Sequence, residues 1–434
     1  MTECRPQTTI HYYIQPNHAF SACVCSFIFT PELAMSRIAK RVEKALTFQA
    51  MEVTKIAQTL KEQGKDIISL GIGEPDFTAP AIVVETLNHA AEAGLSGYSP
   101  ALGIAPLRAE IANYYKKSFG ASVKPEQVII TSGASGALSL ACLSTLNPGD
   151  EILMPDPAYP ANSNFIICAG AIPRLIPCTA EERFQLSAEK IMANWTPNTR
   201  GVLIASPSNP TGTSVDNQEL KKIIQAVKAR NGLVIMDEIY LGLSYDHDPV
   251  SALTIDPDII VINSFSKYFH MTGWRLGWMI APEDIVPAVE KLASSLCICP
   301  STLAQHAAIT CFTDEAMAIY EKRRLAFKER RDYLLPELER LNLNVPVVPD
   351  GAFYIYADIS HYAHDSETFA RDLLNETGVA VVPGLDFGPE HARRMIRISY
   401  ATGLDRLKEA IARMAPFLQK LAARKSIELP QVLS

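Results

Sequence analysis

Lys267 stands between serines at the end of an apolar run. The stretch from Ser264 to Gly277 reads Ser-Phe-Ser-Lys-Tyr-Phe-His-Met-Thr-Gly-Trp-Arg-Leu-Gly and follows the run at residues 259–262. A lysine at the end of a buried strand is desolvated, and a desolvated amine adds reversibly to an aldehyde at neutral pH. Ser264 and Ser266 offer compact hydroxyls, and Arg275 lies eight residues beyond the lysine. Hydroxyls and a guanidinium fork suit a phosphate. Pyridoxal phosphate carries both an aldehyde and a phosphate, so one cofactor satisfies the whole stretch. A lone lysine after a strand is ordinarily solvated; the agreement of several other segments overrides that expectation here.

Those segments come from a repeated pattern. Apolar, β-rich runs at 128–131, 151–154, 201–205, 233–236 and 259–262 are each followed by a cluster of Gly, Ser, Asn, Pro or Asp, and helical segments lie between them. Such alternation predicts an α/β large domain with a mostly parallel central sheet flanked by helices. One crossover helix is explicit: Leu220, Ile223, Ile224 and Val227 recur at helical spacing, Asp216 is placed to cap it, and Asn231-Gly232 ends it. The polar clusters all follow the carboxyl ends of the runs, where open α/β sheets hold ligands. One ligand could touch all five.

Beyond about residue 300 a long charged helix is expected, read as a solvated face. It is followed by short strands at 351–357, 379–382 and 395–399. This predicts a smaller α+β domain at 313–434, packed with the segment 35–75, against a large domain at 76–312. Residues 1–34 lack periodicity and read as a disordered extension. An amphipathic basic helix begins at Met35, which is taken as the natural start.

The 434 residues carry 48% hydrophobic residues and a net charge of −7. That composition excludes global disorder and gives no electrostatic reason for nucleic acid or an anionic membrane as partner. No apolar stretch is long enough to span a membrane. Nine cysteines, several of them inside apolar segments as at Cys142, Cys168 and Cys311, suit reduced and buried thiols in the cytoplasm. The pairs Cys23/Cys25 and Cys297/Cys299 lack matching histidine pairs, so no metal is expected.

From about residue 36 to 418 the chain resembles the class I aminotransferases of fold type I, whose members use pyridoxal phosphate in an aspartate-aminotransferase-like fold. The resemblance makes Lys267 the lysine that holds the cofactor and moves the substrate's α-proton. It makes Asp237, of Asp-Glu-Ile-Tyr, the partner of the ring nitrogen, with Tyr240 and Asn209 donating to the ring oxygen. Gly133, Ala134 and Ser135 stand at a helix start, where free N–H groups favour an anion, and Ser264, Ser266 and Arg275 would complete the phosphate cup. Tyr159 matches the aromatic that stacks on the ring. Tyr98 would reach the phosphate from a second subunit, implying a homodimer.

Arg397, flanked by Ile396 and Ile398 on a strand, is half-buried and needs an anion; the resemblance assigns it the substrate's α-carboxylate, with Gly73 contributing a backbone N–H. Ser135 occupies a place where some dicarboxylate-specific relatives have lysine, which turns the expectation from aspartate to neutral or aromatic amino acids with glutamate or 2-oxoglutarate as partner. His270 takes a place commonly held by a small residue. The expected activity is amino transfer between an amino acid and a 2-oxo acid by a ping-pong cycle. A β- or γ-eliminating lyase would share every cofactor residue. A cofactor-binding transcriptional regulator would need a DNA-binding domain for which residues 1–34 are too short and too poor in basic residues.

Overall fold

Apolar runs that lack alternation form strands covered on both faces, and the computed structural model places them so. It describes residues 37–46 and 49–428, with backbone alone for 49–54 and 425–428. The chain divides into two units, Met1–Ala39 and Lys40–Ser434. The expected extension 1–34 and the start at Met35 lie outside the described residues. The helix expected from Met35 is, among described residues, the short Lys40–Lys44, none of it buried.

In chain order the described strands are β1 (Ile68–Ser69), β2 (Val128–Thr131), β3 (Glu151–Asp156), β4 (Ile172–Pro177), β5 (Thr199–Ala205), β6 (Leu233–Asp237), β7 (Ile260–Ser264), β8 (Gly277–Ile280), β9 (Tyr354–Asp358), β10 (Val379–Ala380), β11 (Val382–Pro383) and β12 (Met395–Ser399). Seven form one sheet in the order β2-β8-β7-β6-β5-β3-β4. Only β8 runs antiparallel to its neighbours, so the sheet is mostly parallel. Two of its strands have no counterpart among the expected runs. β4 is an edge strand with partly exposed residues and two prolines, and edge strands lose the continuous apolar signature. β8 spans four residues just after the lysine loop.

The crossover helix Asn217–Lys228 forms as read. The Asp216 carboxylate accepts from the N–H groups of Gln218 and Glu219, which satisfies two of the first turn's free donors. Leu220, Ile223, Ile224 and Val227 are buried, each worth about 2 kcal/mol of apolar transfer.

A second sheet, in the order β11-β12-β9, is antiparallel, and β1 pairs with β10 in parallel. Ala57 and Leu60 of the helix Gln49–Glu62 pack with Ile67, Leu374 and Ala380, which puts these five residues in one small apolar cluster. The run at 379–382 is two short strands rather than one.

The helix Asp314–Arg340 is not a merely solvated face. Tyr320, Phe327, Leu334 and Leu338 are buried in it, and Arg330 and Arg331 are only 7% and 3% exposed. Distant carboxylates explain this. Arg330 makes two bonds to Asp76, at 2.7 and 2.9 Å, and Arg331 pairs with Asp246 at 2.6 Å. Charge pairing permits burial that charge alone would forbid.

Candidate active site

The strand register delivers the polar clusters to one edge. Ala205 of β5, Asp237 of β6 and Ile262 of β7 lie side by side across the sheet, so the residues after each strand emerge at one level. Opposite them runs the loop at residues 71–78. It is tied down at Asp76 by Arg330 and at the Thr78 carbonyl by Arg323, 2.6 Å away.

Gly133 opens the helix Gly133–Thr145 with a φ of 72°. A Cβ there would come within 2.5 Å of the Arg275 guanidinium, so only glycine lets the helix start and the arginine approach. Gly277 repeats the logic: its Cβ would meet the Gly133–Ala134 peptide at 2.7 and 2.9 Å. The Ser264 hydroxyl donates to the Ser266 hydroxyl at 2.9 Å, and Arg275 approaches Ser266 at 3.5 Å. Free N–H groups, hydroxyls and a guanidinium thus converge on a cradle that a side chain at position 133 would fill. Ser135 is exposed on the same helix start.

The Lys267 amine donates to the Gly73 carbonyl at 2.5 Å and lies 6.0 and 5.9 Å from the Tyr240 and Phe353 rings. Burial foremost, then the Arg397 and Arg275 charges, push it down to about 8, against the pull of Glu74 and Asp237. A nucleophilic amine is therefore accessible near neutral pH. Asp237 is buried, with one oxygen accepting from the Ile239 N–H at 3.1 Å. Burial pushes its carboxyl up to about 6, opposed by that bond and by Lys267. A protonated ring nitrogen beside it would restore its charge. Its neighbour Glu238 faces elsewhere, taking donors from Ser251, Ala252 and Tyr115, and serves the loop that follows the strand.

Arg397 is 5% exposed. It donates to the Asn209 side-chain oxygen at 2.9 Å and the Gly71 carbonyl at 2.6 Å. Its guanidinium lies over Tyr354 at 4.5 Å and Phe387 at 5.1 Å. Its Nε has no hydrogen-bond partner, and among the described residues no carboxylate pairs with it. Because Asn209 spends its oxygen on Arg397, only its amide nitrogen is left to donate. The Tyr240 hydroxyl meets the Tyr354 hydroxyl at 2.9 Å. Tyr159 is partly exposed; burial still pushes its phenol up, and Arg397, Asp237 and Arg275 lie near enough for their charges to act on it. Gly73 enters through its carbonyl, toward Lys267, as well as by any N–H it offers. Tyr98 is not brought to this cluster: it is 85% exposed.

Tyr354 and Phe387 were absent from the residues singled out in the sequence. Tyr354 reaches Arg397 through the register of β9 with β12, and Phe387 through the turn Gly384–Phe387, neither of which is marked locally in the sequence. Cys168 also departs from expectation. It ends the helix Pro160–Cys168 and is exposed, whereas Cys142, Cys178 and Cys311 are buried; all six described cysteines are free.

His270 is 3% exposed, adopts a left-handed φ of 53°, and has no partner at either ring nitrogen. It lies among the rings of Phe77, Tyr320 and Phe327. Burial, assisted by the Arg323 and Arg330 charges, pushes the imidazole down to about 3. The unfolded chain, near 6.5, binds the proton first, so stability is full above pH 6.5 and falls as the pH drops toward 3. His270→Asn keeps a residue that tolerates the left-handed region and removes the titration. Between pH 7 and pH 5 the wild type is expected to lose about 2 kcal/mol more than the variant, read from urea unfolding. Parallel losses would mean that the folded imidazole takes up the proton.

Residues 65–414 match the family described as Aminotransferase class I and II. Over 373 residues the chain is 38% identical to the valine–pyruvate aminotransferase of Mycobacterium tuberculosis, covering 86% of this chain and 96% of that protein. Over 392 residues it is 34% identical to an aspartate aminotransferase of Bacillus sp. strain YM-2, covering 88% and 99%. Among solved structures, an aminotransferase from Mycobacterium tuberculosis superposes with a TM-score of 0.86 at 38% identity, covering 89% of this chain and all of that one. The aspartate aminotransferase from Thermus thermophilus with maleate gives 0.84 at 34% identity, covering 88% and 100%.

Proposed function

The chain belongs to the class I and II aminotransferases, and from that premise we propose that it transfers the amino group of a neutral or aromatic amino acid to a 2-oxo acid, with glutamate or 2-oxoglutarate as the partner pair. The observation that carries the reading is Arg397, a buried guanidinium without a carboxylate partner, beside a lysine whose amine is pushed down to about 8. Two of the five guanidinium donors are engaged, which leaves three for an incoming α-carboxylate. For the side chain, the exposed Ser135 supplies no cation to a second carboxylate, and the valine–pyruvate relative acts on a neutral amino acid by its name.

Pyridoxal phosphate, when bound, supplies an aldehyde and an electron-withdrawing ring that acidifies the substrate's α-carbon. The chain does the rest. Gly133, Ala134 and Ser135 offer N–H groups to the phosphate, and Ser264, Ser266 and Arg275 close around it. Asp237 holds the ring nitrogen protonated. Tyr159 covers the ring face, while Tyr240 and the Asn209 amide donate to the ring oxygen. Arg397, with the Gly73 N–H, fixes the α-carboxylate so that the α-proton faces Lys267. The lysine amine would then take that proton and deliver it to the former aldehyde carbon of the cofactor, two bonds from the α-carbon.

The active unit is a homodimer in which Tyr98 of a second copy reaches the phosphate. Leu95, Tyr98, Leu296 and Ile298 are all exposed, and the Thr302 hydroxyl donating to the Gly97 carbonyl ties the segments near them together; exposed apolar side chains of this kind suit a partner surface. The division into a large domain at 76–312 and a small one at 313–434 joined by 35–75, and the cytoplasmic location, belong to the same proposal. No helix among the described residues is long and apolar enough to cross a membrane.

The test is the visible spectrum of the purified, cofactor-loaded protein as single amino acids are added without any oxo acid. Neutral or aromatic amino acids are expected to bleach the band of the lysine-bound cofactor. A response to aspartate alone sinks the specificity, and release of ammonia and pyruvate from a cysteine conjugate without an acceptor points to the lyase.

A further inference from the structure

The register that sets Arg397 opposite Tyr356 puts Tyr354 on the same face of the small sheet, one diagonal step from the arginine. Its ring lies 4.5 Å from the guanidinium and its hydroxyl 2.9 Å from that of Tyr240. A Cβ added at Gly73 would stand 2.8 Å from the same hydroxyl, and the Gly73 carbonyl is the acceptor of the Lys267 amine. One buried side chain therefore adjoins the donor to the ring oxygen, the carboxylate-binding arginine and the backbone that holds the lysine.

A phenol has one proton to give and two lone pairs to receive with. If Tyr240 spends its proton on the cofactor's ring oxygen, the bond between the two hydroxyls must run from Tyr354 to Tyr240. Donation into the Tyr240 oxygen polarises its O–H and strengthens the onward bond. Meanwhile the Tyr354 ring offers its electron-rich face to Arg397 and limits where the guanidinium can lie.

We infer that Tyr354 is a positioning residue that sets the proton order of the Tyr240 pair through its hydroxyl and aligns Arg397 through its ring, coupling cofactor electronics to carboxylate affinity. The inference rests on the roles proposed above for Tyr240 and Arg397.

Tyr354→Phe and Tyr354→Leu, each loaded with pyridoxal phosphate, separate the two contributions. The readouts are the pH midpoint of the visible band and the Kd of propionate, an unreactive monocarboxylate. Phenylalanine keeps the ring and loses the proton, so the midpoint is expected to rise by about half a unit with propionate affinity unchanged. Leucine loses both, so the same rise is expected together with propionate binding weakened roughly tenfold. An unmoved midpoint in both variants overturns the proton order, even if both melt earlier. Undiminished propionate affinity in the leucine variant overturns the alignment. The underlying assignments fail differently: a wild type with no visible band, or one whose band survives Lys267→Ala, refutes the cofactor site, and propionate binding that survives Arg397→Leu refutes the carboxylate site.

Discussion

Lys267→Ala is expected to lower turnover by at least roughly four orders of magnitude, because the role proposed for it makes one side chain both nucleophile and proton carrier. The visible band of the loaded protein should vanish with it. The residues proposed for the phosphate and ring do not include the lysine, so the variant should still retain pyridoxal phosphate, released on denaturation and measurable then. Its stability should move the other way. The amine is pushed down from 10.5 to about 8 mainly by burial; the unfolded chain therefore binds the proton more readily between those values, and the wild type without cofactor loses stability as the pH falls through that window. Removing the lysine relieves that cost, offset in part by the lost bond to the Gly73 carbonyl. A gain on the order of 1 kcal/mol at pH 7 for the cofactor-free variant is expected from denaturant unfolding. Near-normal turnover would refute the role. A variant that fails to fold, shown by loss of its far-ultraviolet signal, would mean that the lysine is structural.

Much of this residue cluster was legible in the chain because its members lie in short local motifs. Asp237, Asn209 and Lys267 all follow largely buried runs, and such runs stand out by their continuous apolar character. What stayed hidden depends on register between distant segments. Nothing local to Tyr354 announces that β9 and β12 pair with Arg397 opposite Tyr356; a shift of one residue would turn Tyr354 to the other face. Arg330 and Arg331 misled for a related reason. Their charge signals solvent, and burial is offset because Asp76 and Asp246, remote in the chain, arrive to pair with them, with the adjacent Asp332 adding a second carboxylate to Arg331. His270 stands apart, and nothing in the structure explains why an imidazole fills that place.

Arg397 supplies the sharper contrast between fold and function. Substituting leucine should reduce kcat/KM for amino acids by roughly three orders of magnitude, since the proposed bidentate, desolvated carboxylate contact would be lost. Yet the unliganded fold should not suffer. No carboxylate among the described residues compensates the buried guanidinium; Asn209, Gly71 and two aromatic rings carry it. Removing a buried charge that has no carboxylate partner relieves its desolvation cost, which offsets the Asn209 oxygen and Gly71 carbonyl left without that donor. The expected result is a dead enzyme with an unchanged or higher Tm, whereas an arginine in a structural ion pair would take the stability down with it. The charge also acts on Lys267, as the second cause of its depressed amine. Arg397→Leu should therefore raise the pH at which the cofactor-free protein captures pyridoxal phosphate, and Arg397→Lys should largely restore that pH while leaving the carboxylate poorly held, because an ammonium keeps the charge without the fork. If the lysine variant recovers both, the contact is simple charge attraction and the geometry of the fork is immaterial. If it recovers neither, Arg397 positions Lys267 through packing instead.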